Sequence, residues 1–187
     1  MKITHHTKTL THIRTVGLVS KPEDSSLVVH YEQIRAVFQK RNITLLVDEK
    51  SASWLGCEGV AFEQMCEQSD FLISLGGDGT LISLCRRSFA YNKPVLGIHA
   101  GQLGFLTDIQ TDEISTFMDD FFQGKYRIDT RMMLDVSLHV NQKVEKLVAF
   151  NDIVFSRSKI SHMTTIKAYV DGDLFKVTIT LPLKESR

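Results

Sequence analysis

Apolar and polar positions in the first two thirds of the chain follow two different periods in turn. Short apolar runs of strand length alternate with longer segments in which apolar residues recur at helical spacing. The predicted strands cover residues 16–19, 43–47, 71–75 and 94–98, and the predicted helices cover 27–41, 60–68, 80–89 and 111–122. The run at 71–75 is apolar at nearly every position, which is typical of a strand covered on both faces. This alternation predicts an α/β fold with an open, mostly parallel sheet of Rossmann-like type and flanking helices.

The pattern changes after Gly124. Five later segments are typical of strands and none is typical of a helix: residues 126–131, 133–140, 147–157, 164–170 and 174–181. Asn141-Gln142 and Asp171-Gly172 supply turn residues between them, and Asp-Gly is a strong hairpin signal. We therefore predict an α/β domain over residues 1–124. Residues 125–187 are predicted to form the beginning of an antiparallel all-β domain.

Composition narrows the classes of function. Lys+Arg number 22 and Asp+Glu number 22, so the formal net charge is zero. A balanced charge argues against nucleic acid or an anionic membrane as the main partner. Cys57, Cys66 and Cys85 have neither the spacing of a disulfide framework nor that of a metal knuckle, and the histidines have no metal-ligand spacing. A polar first segment and the lack of an apolar run of about 18 residues predict a cytoplasmic protein.

A glycine turn joins the third predicted strand to the third predicted helix. Its sequence is Gly76-Gly77-Asp78-Gly79-Thr80. Ligands of open α/β folds bind at this edge of the sheet, and the amide groups of a glycine turn approach phosphates closely. A carboxylate in such a turn is poorly placed to hold a phosphate, but it suits proton transfer from a hydroxyl or binding of a divalent metal. Taken alone, the motif is equally consistent with a structural role, in which Asp78 only caps the helix that begins near Thr80 and the glycines only turn the chain.

A second glycine-rich segment follows the fourth predicted strand. It runs from Gly97 to Asp108, and six of the eleven glycines fall between Gly76 and Gly104. Two glycine-rich loops at one sheet edge indicate backbone that must approach a ligand closely. Phe105 in this loop suits stacking on a base or a ribose. The alternative is that Phe105 and Leu106 pack into the core between the domains.

Three motifs in this order resemble bacterial NAD kinases. They are Gly76-Gly77-Asp78-Gly79-Thr80, Gly101-x-Leu103-Gly104-Phe105-Leu106 and Asn151-Asp152, and the resemblance covers about residues 15–175. Gly-Gly-Asp-Gly alone also occurs in diacylglycerol kinases, sphingosine kinases and phosphofructokinases, whereas the other two motifs are more specific. The resemblance implies phosphorylation of the adenosine-ribose 2′-hydroxyl of NAD to NADP. It also implies ATP as phosphoryl donor and a divalent metal cation, Mg²⁺.

The resemblance also implies that the α/β domain of residues 1–124 is nucleotide-binding, and it implies site residues. Asp78 matches the catalytic base of the family. The positions implied to contact substrate or cofactor are Asp78, Gly79, Phe105, Asn151, Asp152 and His162. Asp152 departs from the family, which usually has the longer Glu after Asn. Ser83 stands where many members have a basic residue, although Arg86 and Arg87 follow within the same predicted helix.

The chain departs further from the family after Phe175. Residues 176–187 lack the family's Thr-Pro-Thr-Gly-Ser-Thr segment. We therefore expect a β domain that is truncated relative to the family, with weak or absent activity and exposed apolar surface. A complete β domain would imply a homo-oligomer, either a dimer or a tetramer. Two alternatives stay open: an inactive or binding-only fragment, and a lipid or sugar kinase that shares only Gly-Gly-Asp-Gly.

Overall fold

The structure, a computed structural model, describes residues 10, 12–101, 104–107, 109–154 and 166–177. The chain divides into two compact units, Met1–Asp152 and Ile153–Arg187. Within the described residues, no helix is both long and apolar enough to cross a membrane. The predicted domain boundary at Gly124 stays a prediction.

The first unit contains a five-stranded sheet in which every pairing is parallel. The strands are β1 (Thr15–Ser20), β2 (Thr44–Val47), β3 (Phe71–Leu75), β4 (Val95–His99) and β5 (Ile109–Gln110), and their order in the sheet is β2-β1-β3-β4-β5. The helices are α1 (Val28–Gln39), α2 (Glu49–Leu55), α3 (Phe62–Gln68), α4 (Asp78–Arg87) and α5 (Ile114–Phe122). The predicted α/β fold with an open parallel sheet is confirmed.

Side chains of β3 alternate between two apolar layers. Phe71, Ile73 and Leu75 are buried in the layer that includes α1 and α5. Leu72 is buried in the layer that includes α3 and α4. Complete burial of one such side chain stabilises the fold by about 1.5–3 kcal/mol. A strand covered on both faces holds the turn that follows it in a fixed position, and in this chain that turn is the glycine turn.

Close packing on one face of the sheet depends on a glycine in β1. A Cβ atom added at Gly17 would lie 2.7 Å from Leu72 Cδ2, 2.8 Å from Met65 Cγ and 2.9 Å from Ser69 Oγ. These distances leave no space for a methyl group, because well-packed interiors have few voids. Gly17 therefore lets α3 approach the sheet beside the strand that leads into the site.

The strand order creates a crevice between β1 and β3. From β1 the chain crosses over to β2 on one side, whereas β3, β4 and β5 follow on the other side. Connections that leave in opposite directions open a crevice at the carboxyl ends of the two central strands. In this sheet the crevice lies between the residues after Ser20 and those after Leu75.

Two antiparallel hairpins follow the parallel sheet in sequence. The first, β6 (Leu134–Val140) and β7 (Lys143–Ala149), lies within Met1–Asp152, and the second, β8 (Ile166–Val170) and β9 (Asp173–Val177), lies within Ile153–Arg187. Each has a two-residue turn whose residues both have positive φ, namely 47° and 65° at Asn141-Gln142 and 51° and 92° at Asp171-Gly172. Positive φ at both positions is what a type I′ hairpin turn requires. The predicted antiparallel strands after the α/β region are confirmed.

The structure corrects three details of the predicted elements. Residues 125–133 form no strand, and the segment instead carries ion pairs from Arg127 and Arg131 to Asp129 at 2.7 and 3.9 Å. The strand expected over 147–157 is β7, which ends at Ala149. The helix α2 lay outside the predicted elements, since seven residues are too few for a clear helical period.

Candidate functional site

The glycine turn lies at the carboxyl edge of the sheet, between β3 and α4. Gly77 precedes the helix in an extended conformation, and Asp78 is the first helical residue. The amide of Gly76 donates a hydrogen bond of 3.0 Å to the carbonyl of Ile98 at the end of β4. The turn is therefore tied to the neighbouring strand, and the half-buried Asp78 side chain begins from a fixed backbone position.

The Asp78 carboxylate is held by the second glycine loop. The backbone amide of Phe105 donates a hydrogen bond to Oδ2 at 2.9 Å, and that of Leu106 donates one to Oδ1 at 3.0 Å. We call this pair of amide hydrogen bonds the Asp78 clamp. The clamp joins two loops that are 27 residues apart in sequence, and it leaves each carboxylate oxygen with further accepting capacity.

The clamp also fixes the charge of Asp78. The amide hydrogen bond from Phe105 lowers the pKa of Asp78 below its ordinary value, and the amides of Leu106 and Thr107 add to this effect. Partial burial opposes it and raises the pKa, but by less. Hydrogen bonds to an ionised carboxylate favour the charged form. Asp78 is therefore a carboxylate at neutral pH.

A glycine makes room for the clamp. A Cβ atom added at Gly104 would lie 2.6 Å from Asp78 Cγ and closer still to Oδ1. No side chain fits between the loop backbone and the carboxylate at this distance. Gly104 is thus the position at which the second loop approaches Asp78, and this explains in physical terms why a glycine precedes Phe105.

The clamp should respond to pH in one direction. Because the folded pKa of Asp78 is lowered, the clamp should be complete above the ordinary aspartate value of 3.8 and be lost as the pH falls through the lowered pKa. In an NMR titration, the amide proton resonances of Phe105 and Leu106 should move upfield with a midpoint below 3.8. The amide of Leu72, which donates to the carbonyl of Pro94, serves as the control and should not titrate. A midpoint at or above 3.8 would contradict the assignment.

Two other predicted site residues, Gly79 and Phe105, lie next to Asp78 in the two glycine loops. Gly79 follows Asp78 in the first turn of α4, is exposed, and has no atom within 4 Å of the position that a Cβ would take. Phe105 donates to Asp78 through its backbone, while its side chain is fully exposed. The structure therefore does not show the alternative in which Phe105 packs into the core. An exposed aromatic ring beside an ionised carboxylate is available for stacking on a ligand.

Asn151 and Asp152 lie elsewhere than the sequence pattern predicted. They do not interrupt a strand: β7 ends at Ala149, and Asn151 has a φ of 77° in the bend that follows. Both side chains are exposed, and the Asn151 amide donates to the Asp152 carboxylate at 3.4 Å. Because both side chains remain in contact with solvent, their polar groups are not desolvated on folding. His162 lies outside the described residues.

A cavity of about 690 Å³ opens in the crevice between β1 and β3. It is bordered by the residues after β1, the first turns of α2 and one face of α4, with Gly77 and Gly79 at its edge. Three basic side chains, Lys21, Lys50 and Arg87, contribute to its wall. Sequence reasoning named neither lysine as a site residue, although each follows closely after a predicted strand, as ligand-binding residues of open α/β sheets do.

Hydrogen bonds and two ion pairs, one of them between Lys21 and Asp24 at 3.0 Å, hold the wall of this cavity in place. The Arg87 guanidinium lies 3.5 Å from the buried Asp48 carboxylate and 3.8 Å from the centroid of the Phe62 ring. The amide of Ser20 donates a hydrogen bond of 2.9 Å to the Ser51 hydroxyl. A buried carboxylate needs such a partner, because an unpaired charge costs several kcal/mol inside a protein. The ends of β1 and β2 are thus joined to α2 and α4.

These features define an α/β protein whose candidate ligand site lies at the carboxyl edge of a parallel sheet with order β2-β1-β3-β4-β5. The sequence model of the family described as ATP-NAD kinase N-terminal domain matches residues 16–126. That match covers the parallel sheet from Val16 onward and all five helices, and the chain belongs to this family.

Individual relatives agree with the family match. An NAD kinase of Sulfurimonas denitrificans is 42% identical over 163 residues, which are 87% of this chain and 57% of the relative. An NAD kinase of Wolinella succinogenes is 40% identical over 166 residues, with shares of 89% and 57%. The chain therefore spans somewhat more than half the length of these relatives. The crystal structure of yeast NADH kinase complexed with NADH is similar in fold, with a TM-score of 0.65, 18% identity, and coverage of 88% of this chain and 54% of that one.

Proposed function

We propose that the chain acts as an NAD kinase, transferring the terminal phosphoryl group of ATP to the 2′-hydroxyl of the adenosine ribose of NAD. The observation that carries the proposal is the Asp78 clamp, which holds an ionised carboxylate at the carboxyl edge of the sheet. Family membership supplies the substrates, because the curated relatives are named NAD kinases.

The reaction assigns one proton transfer to Asp78. The ribose hydroxyl donates a hydrogen bond to a free lone pair of the carboxylate, and its oxygen attacks the γ-phosphorus of ATP. A new P–O bond forms, the bond to the β,γ-bridging oxygen breaks, and ADP leaves. The proton passes to Asp78 and then to water. A carboxylate with a lowered pKa is a weak base, but it suits a loose transition state in which the proton leaves late.

The remaining predicted residues are proposed as binding groups. Gly79 gives the substrate open access to the turn, and the exposed ring of Phe105 stacks on the dinucleotide. Asn151 and Asp152 are exposed and accept or donate hydrogen bonds to the sugar and base. His162 is proposed only from the resemblance, as a further contact to the dinucleotide.

The family resemblance implies a divalent cation. No three His, Cys, Asp or Glu side chains in that part of the chain are grouped as metal ligands. Mg²⁺ commonly keeps several waters and binds through one or two carboxylates together with substrate phosphates. We therefore propose that Mg²⁺ arrives with ATP, and we assign no catalytic step to it.

Location and assembly are also proposed. Cys57, Cys66 and Cys85 are free thiols, which suits the reducing conditions of the cytoplasm. The β6–β7 hairpin exposes apolar side chains, including Leu138, Val140 and Val144. Exposed apolar strands favour association with another chain, and this supports a homo-oligomer.

Formation of NADP from NAD and ATP by the purified chain tests the proposed function. The same assay should include NADH, a diacylglycerol, sphingosine and a sugar phosphate as acceptors. Phosphorylation of NAD or NADH above all other acceptors is the expected result. Preference for a lipid or sugar acceptor would instead favour the alternative that rests on Gly-Gly-Asp-Gly alone. Binding of NAD by calorimetry without turnover would identify a binding-only chain.

A further inference from the structure

Gly97 in β4 lies where the two halves of the Asp78 clamp meet. A Cβ atom added at this position would lie 3.0 Å from Thr107 Cα, 3.2 Å from Thr107 Cγ2 and 3.2 Å from Leu81 Cδ2. Thr107 directly follows the two residues whose amides donate to Asp78, and Leu81 lies one turn after Asp78 in α4. The helix that carries the carboxylate and the segment that carries its donors therefore pack against the same strand residue.

This packing contact is buried and rests on a fixed part of the sheet. Gly97 is buried, Leu81 is 7% exposed and Thr107 is 5% exposed. Gly97 pairs with Ser74 of β3, the strand that is covered on both faces. Because a protein interior is close-packed, a shift of the helix or of the loop at this point would open a gap or displace the other element. The packing at Gly97 thus determines how far the loop lies from α4.

The side chain of Thr107 contributes shape to this contact rather than a hydrogen bond. Within the described part of the chain, its buried hydroxyl has no hydrogen-bond partner. A buried hydroxyl without a partner costs free energy, so the hydroxyl does not explain why the loop stays in this position. The methyl carbon Cγ2 is the side-chain atom that packs beside Gly97.

We propose that Gly97 and Thr107 are positioning residues for the reaction assigned to Asp78. The lack of a side chain at residue 97 lets Thr107 pack onto β4, and this packing sets the distance from the carboxylate to the amides of Phe105 and Leu106. The inference rests on the proposed function for the reaction that it assists. Its effect on the clamp can be measured whether or not the chain is active.

Gly97→Ala tests the contact from the side of the strand. The added methyl group would lie 3.0 Å from a backbone atom, so the loop must move by a few tenths of an ångström. The kcat for NADP formation should fall by about 3–10-fold, because a misplacement of about 1 Å can cost about 100-fold, while the KM for ATP should not change. At neutral pH, the amide proton resonances of Phe105 and Leu106 should move upfield as their hydrogen bonds lengthen.

Gly17→Ala is the matched control for this variant. It also adds a methyl group to a parallel strand, within 2.9 Å of three side chains, but in the layer that contains α3. It should lower the thermal stability of the chain and leave the amide resonances of Phe105 and Leu106 unchanged.

Two variants at residue 107 test the contact without overfilling the core. Thr107→Val keeps a methyl group beside Gly97 and removes the hydroxyl, whereas Thr107→Ser keeps the hydroxyl and removes Cγ2. If packing positions the loop, the kcat of Thr107→Val should exceed that of Thr107→Ser by about 2–5-fold, since the looser loop holds the carboxylate less closely. The amide resonances of Phe105 and Leu106 should move upfield further in Thr107→Ser than in Thr107→Val.

Three results would overturn the proposal. The first is a folded Gly97→Ala chain, as judged by circular dichroism, in which the amide resonances of Phe105 and Leu106 stay at their wild-type positions. The second is an equal movement of these resonances in Gly17→Ala. The third is a Thr107→Ser chain that matches Thr107→Val in both resonances and kcat, and this result decides alone if Gly97→Ala does not fold.

The same measurements separate this inference from the proposed function. Upfield movement of the two amide resonances in Gly97→Ala and Thr107→Ser, in a chain that forms no NADP, would support the positioning and refute the activity. NADP formation with an unchanged kcat in both variants would refute the positioning and leave the kinase activity standing.

Discussion

Asp78→Asn is expected to lower the rate of NADP formation by at least about 100-fold, because a positioned general base contributes about 10²–10⁴-fold. The amide cannot accept the proton of the ribose hydroxyl. It also cannot reproduce the clamp, since its NH₂ group would face one of the two backbone amides that now donate to the carboxylate. The loss should appear in kcat, whereas the KM for ATP should change little.

Initial rates of NADP formation measure this effect. Asp120→Asn is the control: it replaces an aspartate on α5 whose side chain is 48% exposed and lies 3.7 Å from the Lys125 ammonium, and such surface pairs contribute little to stability. It should retain wild-type activity. Asp78→Asn that is as active as an active wild type would show that Asp78 is not the base.

Gly104→Ala is expected to lower kcat by about 10–100-fold although residue 104 bears no reactive group, because small misplacements of catalytic groups cost rates of this order. Its methyl group would occupy space held by the Asp78 carboxylate, so the loop must retreat or the carboxylate must turn. In either case the hydrogen bonds from Phe105 and Leu106 weaken. The amide resonances of these two residues should then lose the titration described above.

The double variant shows whether Gly104 acts through Asp78. If it does, Gly104→Ala combined with Asp78→Asn should be no slower than Asp78→Asn alone, since residues that act as a unit are not additive. Additive losses would mean that Gly104 has an independent effect, for example on binding of the dinucleotide.

The sequence predicted the parts of the site that are local in the chain. The apolar run at 71–75 and the glycines after it define a strand, a turn and a helix start, and Asp78 follows from them directly. The clamp could not be predicted in this way. Its donors are backbone amides of Phe105 and Leu106, and the side chains of these two residues do not indicate which carboxylate accepts from them.

The cavity could be predicted only from the strand order of the sheet together with the sequence pattern. Lys21 and Lys50 each follow a strand, but only the order β2-β1-β3 shows that both border the same crevice. Trp54, which also lines the cavity, lies on α2, whose seven residues were too few to predict as a helix.

The position of Asn151 and Asp152 was predicted wrongly because the turn of a hairpin determines which residues pair and therefore where the second strand begins. The two-residue turn at Asn141-Gln142 pairs Val140 with Lys143, so β7 begins at residue 143 although its first residues are mostly polar. Seven residues later the strand ends, before Asn151. The apolar run alone predicted that the strand begins at residue 147, whereas β7 begins at Lys143.

Phe105 contributes to the site in two chemically independent ways. Its amide holds Asp78 and would do so with almost any side chain attached, whereas its ring points outward and holds nothing within the described chain. Substitution of the ring therefore leaves the Asp78 carboxylate in place, and proline, which lacks the amide hydrogen, removes the hydrogen bond. The side chain at residue 105 can thus change during evolution without loss of the hydrogen bond that holds Asp78, so the two contributions of this residue can vary independently.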